Sequence, residues 1–482
     1  MAASMEASVV KLKVCVKLAN RALAHPARRP IVALLSSQHA RGRRHYSSKR
    51  NVLTLSERGI FKDIFPETSD LPKVLTSDPQ CMYCGFDPTA DSLHIGNLLA
   101  IIALLHCQRA GHNPIALIGS ATAMIGDPSG KTKERAPLQS AVVHSNAASI
   151  KDSLERIFTN HERYLCQVDK QLPKIRILDN HSWYKDLNVI KFLASVGRQL
   201  RMGKLLSRQS VQTRLDSSLG MNFAEFSYQL FQAYDFLHLH REYGCLIQLG
   251  GTDQLGNLMT GHDLVRRATG KDVYGIVVPL VTSSTGDKLG KTAGNAVWIN
   301  SDKTSPFDLY QYFLRLPDAD MERYLKLFTF LPLNEVADII RLHKKTPSSR
   351  KAQKKLAEQV LLLVHGESGL DRALRQTDAL YHTSPDSLEQ LNDAEIAELF
   401  QGATVTQLFL EPGFSVGQML DRVECLPQGD KGELILQAGG VYINNQRVMD
   451  ASRVLVKGEH ILNNGLTLIR VGKKNYYIVK WV

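Results

Sequence analysis

The chain has 482 residues, 22% charged and 44% apolar, with 59 Lys or Arg against 47 Asp or Glu and a net charge of +12. That length suggests about three domains of ~150 residues, and the composition excludes a collagenous or wholly disordered chain. The longest strongly apolar stretch, 98–105, is far shorter than the ~20 residues that cross a bilayer, and seven scattered cysteines make no disulfide framework, so a reducing compartment and no membrane are expected.

Residues 1–50 hold eleven Lys or Arg and a single acid, Glu6, so ten of the twelve net charges sit there. Basic residues spread among Ala, Ser, Val and Leu, with acids nearly absent, have the composition of a mitochondrial transit peptide. Arg44-His45-Tyr46 before Ser47 resembles a matrix-protease cleavage site, and the remainder, carrying only +2, is expected to work in the mitochondrial matrix. A basic arm that binds nucleic acid directly is the competing reading.

From 51 to 300 short apolar runs alternate with longer amphipathic ones. Strands are expected at 82–86, 114–119, 175–178, 246–249 and 274–281, and helices at 95–109, 145–165, 189–200, 224–243 and 254–267. Strands alternating with helices imply βαβ units and a parallel sheet covered on both faces. Ser305-Pro306-Phe307-Asp308 then opens a new helix, with a capping Ser, Pro in the first turn and an acid three residues after the cap. Residues 301–405 read as helical and contain the basic run 341–355, seven Lys or Arg without an acid. From 406 short β-rich runs, 440–443 and 466–481, surround the turn formers Asn444-Asn445 and Asn464-Gly465, marking a small third unit over 406–482.

The segment from Tyr83-Cys84-Gly85-Phe86-Asp87 to His94-Ile95-Gly96-Asn97 places a strand end, a turn and a helix start within fifteen residues, at the sheet edge where ligands bind. Gly96 near the helix start lets a ligand approach backbone, and the free N–H groups there favour an anion. After the last apolar strand, Lys288-Leu289-Gly290-Lys291-Thr292 puts two lysines three apart in a Gly- and Thr-rich loop, a pattern suited to polyphosphate. Each motif alone reads as well as a helix-capping His or a solvated loop.

Together they resemble the two signatures of class I aminoacyl-tRNA synthetases, HIGH and KMSKS. Tyr83 to Asp87, Gly126-Asp127-Pro128-Ser129-Gly130, Tyr228-x3-Gln232-x2-Asp235 and Gln248-x-Gly250-Gly251-x-Asp253-Gln254 extend the likeness to the tyrosyl-tRNA synthetases, in that family's order and spacing, from about residue 51 to the end. The leader points to a mitochondrial member. The resemblance implies a Rossmann-like class I catalytic domain at 51–300 with a dimer-forming insertion, a helical anticodon-binding domain at 301–405 and a small α+β RNA-binding domain at 406–482. It implies ATP-dependent attachment of L-tyrosine to mitochondrial tRNA(Tyr) through a tyrosyl-adenylate, with Mg²⁺ and as a homodimer whose surface lies around Leu205 to Leu215.

On that pattern Tyr83 and Asp235 meet the phenol hydroxyl, while Asp127, Tyr228, Gln232 and Gln254 hold the ammonium group. Tyr228, Gln232 and Asp235 fall at i, i+4 and i+7, one face of a helix. Three polar residues satisfied inside a core would show the same spacing. A phenylalanine would leave Asp235 and Tyr83 unpaired in a dry site; tyrosyl enzymes are themselves the documented case, with discrimination of ~10⁵ and no editing. Cys84, Gly85, Asp87, Gly96, Gly251 and Asp253 are assigned to ATP with His94, Lys288 and Lys291; the catalytic set is His94, Asn97, Lys288, Lys291 and Thr292. Asn97 stands where the family commonly has a second His; it keeps an N–H donor but cannot carry a positive charge. Cys81-x-x-Cys84 lacks a second pair at metal spacing, so no protein metal site is expected. Lys344, Lys345, Arg350, Lys351, Lys473 and Lys474 are the expected RNA contacts. The rivals are a tryptophanyl enzyme, which would have no hydroxyl for Asp235 and Tyr83 to bind, and a non-catalytic RNA-binding or splicing protein on the same scaffold.

Overall fold

The computed structural model describes residues 50–482 except 69, 132, 167–171, 283–288, 293–294, 382–387, 401 and 473–474, so the transit-peptide reading, Lys288, Lys473 and Lys474 lie outside the described residues. The first sheet contains β1 (Asp63–Phe65), β2 (Cys81–Phe86), β3 (Asn113–Ile118), β4 (Arg176–Asp179), β5 (Cys245–Gly251) and β6 (Tyr274–Val278), in the order β1-β6-β5-β2-β3-β4. Five strands are parallel, at nearly the positions the apolar runs indicate. The sheet is nonetheless mixed: β1 lies antiparallel on β6, pairing Ile64 with Ile276. Three residues are too short to show an alternation, which is why the sequence reading of a purely parallel sheet missed this edge.

Strand alternation divides β2 between two cores. Met82, Cys84 and Phe86 face α1 (Ile95–Arg109), a helix whose Leu- and Ile-rich sequence is buried on nearly all sides. Cys81 and Tyr83 face the opposite core, built with α3 (Phe223–Tyr243) and α4 (Leu255–Thr269), which follow α2 (Ser140–Asn160) in the chain. Cys81 and Cys84 thus lie on opposite faces and cannot hold one ion together. Asn222 begins α3 by accepting from the Glu225 N–H at 2.9 Å, and Gly244 at φ 64° ends it.

The helical region comprises α5 (Pro306–Leu314), α6 (Met321–Phe328), α7 (Leu333–Lys345) and α8 (Lys351–Tyr381). Ser305 Oγ accepts from the Asp308 N–H at 3.0 Å, as the cap signal indicates. This region shares one continuous core with α1, through Phe313, Tyr324, Leu356 and Val360. Helix α8 is broken at Gly366 (φ 71°, ψ −170°), leaving carbonyls without helical partners. Two side chains of α2 take them: Asn160 Nδ2 donates to Leu363 O at 3.1 Å and Arg156 Nε to Val364 O at 3.1 Å.

A two-residue hairpin, β7 (Lys291–Thr292) with β8 (Asn295–Ala296), follows the first sheet. The C-terminal sheet runs β11-β10-β12-β13-β9, with β9 (Thr404–Leu408), β10 (Val441–Ile443), β11 (Gln446–Val448), β12 (Leu466–Val471) and β13 (Asn475–Trp481). Ile396 and Phe400, flanking the end of α9 (Asp393–Leu399), pack on Leu468 and Ile478 of this sheet, so the small unit gathers residues from before position 406.

Candidate active site

The candidate residues meet where β2, β3, β4 and β5 end. Gly85 is the one exposed residue of β2, and a Cβ placed there would meet nothing within 4 Å, so open space lies over the strand on the Tyr83 side. Tyr83 is 1% exposed, packs edge-on to Phe236 at 5.2 Å, and its hydroxyl has no hydrogen-bond partner among the described residues. Burial first, and then the charge of Asp235, push that hydroxyl well above the ordinary tyrosine range, so it stays a neutral donor.

Asp235, on α3, accepts from Trp183 Nε1 at 2.9 Å and Asn180 Nδ2 at 3.1 Å. Burial pushes its carboxyl up to about 7 despite these donors. Asn180 and Trp183 follow β4 directly; sequence reasoning missed both, although the end of a parallel strand was itself a cue.

Two hydrogen-bonded polar clusters adjoin this floor. Tyr228 Oη donates to Asp87 Oδ2 at 2.7 Å, and Thr122 Oγ1 donates to Asp87 Oδ1 at 2.8 Å. A Cβ at Gly119 would lie 2.0 Å from Asp87 Oδ1, so only glycine allows this approach. Burial pushes Asp87 up to about 6, opposed chiefly by the Tyr228 bond. Asp87, assigned to the nucleotide by resemblance, is therefore tied to Tyr228, which the same resemblance assigns to the amino acid. Gln254 Nε2 donates to Asp127 Oδ2 at 2.7 Å, and Asn257 Nδ2 donates to Gln232 Oε1 at 2.8 Å and Gln254 Oε1 at 3.1 Å. Asn257 and Thr122, unmarked by any spacing, join residues that the motifs had separated.

The two signature segments meet. Asn97 Oδ1 accepts from the His94 N–H at 3.1 Å at the start of α1. The amide therefore braces the helix start with its oxygen and keeps its N–H₂ for other acceptors. Gly290, at φ 87°, would place a Cβ 3.4 Å from Gly96 N, and Ile95 N donates to Val297 O at 2.9 Å. Lys291 and Thr292 follow immediately in β7. Gly96 is exposed, and Asp253 approaches both Gly251 and Gly130. Cys84 is buried with its thiol pushed by burial up to about 12, so it offers only a neutral S–H. Lys344, Lys345, Arg350 and Lys351 are exposed at the turn between α7 and α8, far along the helical region; Arg350 also donates to Leu314 O.

A profile of the class I tRNA synthetases for tryptophan and tyrosine matches residues 76–382. The mitochondrial tyrosine–tRNA ligase of Homo sapiens is 52% identical over 448 residues, covering 91% of this chain and 94% of its own length. The chain belongs to the tyrosyl-tRNA synthetases of class I. The mitochondrial relative from Drosophila melanogaster is 51% identical over 462 residues, covering 95% of this chain and 99% of itself. A crystal structure of a C-terminally truncated mitochondrial tyrosyl-tRNA synthetase from Aspergillus nidulans superposes with a TM-score of 0.64 at 33% identity, covering 70% of this chain and 95% of that one. Membership of this family, with its tyrosine branch distinguished from the tryptophan branch by these relatives, agrees with the reading of the motifs.

Proposed function

We propose that the chain joins tyrosine to the tRNA for tyrosine in mitochondria, using ATP. The observation that carries this reading is a buried Tyr83 hydroxyl, without a hydrogen-bond partner among the described residues, within the electrostatic reach of the buried Asp235 carboxyl. A phenol hydroxyl placed between them would accept from Tyr83 and donate to Asp235. An indole has no oxygen to accept the first bond. Asp127, Tyr228, Gln232 and Gln254 hold the ammonium group, with Asp87 bonded to Tyr228 adding charge complementarity.

In the first step a carboxylate oxygen of tyrosine bonds to the α-phosphorus of ATP. The bond from that phosphorus to the bridging oxygen breaks, and pyrophosphate leaves with the electron pair. The carboxylate is already a nucleophile, so no general base is needed and the site acts by positioning and by stabilising phosphate charge. The exposed start of α1, with Gly96, His94 and Asn97, offers backbone and side-chain donors to the phosphates. Lys288, Lys291 and Thr292 act on the departing pyrophosphate, and Cys84, Gly85, Gly251 and Asp253 on the adenosine end. Mg²⁺ enters the reaction with the phosphates, as part of the MgATP substrate. In the second step a terminal adenosine hydroxyl of the tRNA attacks the adenylate. The helical region, through Lys344, Lys345, Arg350 and Lys351, and the C-terminal unit, through Lys473 and Lys474, contact the tRNA.

The chain acts as a homodimer in the mitochondrial matrix. Exposed apolar side chains gather between β4 and the start of α3, including Ile190 (69% exposed), Leu219 (75%) and Phe223 (77%), a surface wider than the expected Leu205 to Leu215, in which Leu205 and Val211 are buried. Ile190→Asp with Leu219→Asp should convert a dimer to a monomer in sedimentation. Tyrosine-dependent exchange of pyrophosphate into ATP tests the catalytic reading; no exchange with tyrosine would refute it.

A further inference from the structure

The second signature loop is bounded by Val281 and Thr282, past the end of β6, and by Leu289 and Gly290, where Leu289 N donates to Val281 O at 3.0 Å and Val297 N to Gly290 O at 2.8 Å. Both stems of this loop are held by side chains of the helical region. On the outgoing stem, Arg323 Nη1 donates to Thr282 O at 2.9 Å and Tyr324 Oη donates to the same oxygen at 3.4 Å. On the returning stem, the Gly290 N–H donates to Tyr312 Oη at 2.9 Å. Gly290 is itself buried against Ile95 and Gly96, the start of the helix that bears the first signature.

Tyr312 sits on α5, whose far end is bonded to the basic segment. Arg350 donates to Leu314 O, and Gln353 Nε2 donates to Leu316 O at 3.2 Å. Helix α5 is thus hydrogen-bonded to the proposed RNA-facing turn at Leu314 and to the backbone of the second signature at Tyr312.

We infer that Tyr312 is a positioning residue for ATP: its hydroxyl accepts from the Gly290 N–H, so that the helical region fixes Gly290 of the second signature against the start of α1. Without that acceptor a buried N–H loses its partner, and the loop must shift or stay unsatisfied. The tyrosine pocket, on the α3 and α4 side of the sheet, shares none of these bonds. The effect therefore falls on the nucleotide and leaves the amino acid untouched. This inference rests on the reading of Lys288, Lys291 and Thr292 as pyrophosphate residues.

The test is tyrosine-dependent pyrophosphate exchange by the full chain carrying Tyr312→Phe, normalised to titrated adenylate-forming sites. The expected result is a five- to tenfold fall in kcat/KM for ATP, the scale of about one lost hydrogen bond, with KM for tyrosine within twofold of the unsubstituted chain. Arg323→Ala, which cuts the other stem from an exposed side chain, should give the same split at about two- to threefold. A merely structural role for Tyr312 would lower the number of titrated sites without changing ATP kinetics per site. Unchanged ATP kinetics per site in Tyr312→Phe, or a tyrosine KM that rises in parallel, would overturn the inference. If too few Tyr312→Phe sites titrate, Arg323→Ala decides, and ATP kinetics unaltered in that variant overturn it. Absence of exchange in the unsubstituted chain would instead refute the catalytic reading.

Discussion

Asp235 makes the ligand-free fold and the binding of tyrosine respond to pH in opposite directions. Its folded carboxyl titrates at about 7, raised by burial, against an ordinary value of 3.8. The folded state therefore holds a proton that the unfolded chain has lost between those two values, so the stability contributed by this group is present below pH 3.8 and lost as pH rises through 7. Between pH 5.5 and 7.5 the loss amounts to about 2 kcal/mol. Asp235→Asn removes that titration. The amide also brings an N–H₂ against the donors Asn180 and Trp183, a constant penalty that does not change with pH. Thermal unfolding of both ligand-free proteins at the two pH values separates these effects: the variant should gain about 2 kcal/mol relative to the parent at the higher pH, a shift of a few degrees. Tyrosine needs the ionised carboxylate as acceptor, so its affinity for the parent should fall about twentyfold from pH 7.5 to 5.5. Equal pH dependence of unfolding in parent and variant would refute this account of the pocket floor.

Tyr83→Phe should leave the unfolding midpoint unchanged, since the hydroxyl has no hydrogen-bond partner among the described residues, yet lower kcat/KM for tyrosine about tenfold and narrow discrimination against phenylalanine. His161 and His365 are held down to about 3 by burial, so the unfolded chain binds more protons below pH 6.5 and stability falls as pH drops, by about 1.4 kcal/mol per unit for each. His365→Leu should flatten the loss of stability between pH 6.5 and 5 in thermal unfolding. Gly366→Ala meets a backbone conformation suited to glycine and puts a Cβ 3.2 Å from Asn160 Oδ1; it should cost about 2 kcal/mol or more, with KM for tyrosine unchanged.

The parallel strands and the helix at 95–109 were legible because buried strands and a buried helix need long apolar runs, and no alternative arrangement could hide them. The edge strand Asp63–Phe65 was not legible, because a three-residue strand is made by its neighbour β6 and leaves no period of its own. Within the site, Tyr228, Gln232 and Asp235 announced themselves by spacing along one helix. Asn180, Trp183 and Asn257 reach them from two other segments and Thr122 reaches Asp87 from a third, and contacts over 25 to 55 residues leave no local pattern. Asn97, a departure from the usual motif, proves to brace the helix start, a role that needs an acceptor oxygen and no charge. The Gly290 to Tyr312 bond joins positions 22 apart across two architectures, and only the folded chain reveals it.

The central claim is that Tyr83 and Asp235 together read the phenol hydroxyl. A crystal structure of the chain with L-tyrosine tests it most directly. The account predicts the phenol oxygen within 2.5–3.2 Å of both Tyr83 Oη and an Asp235 carboxylate oxygen, roughly the range of a hydrogen bond. A ligand whose ring lies elsewhere, or whose hydroxyl meets only water, would contradict it.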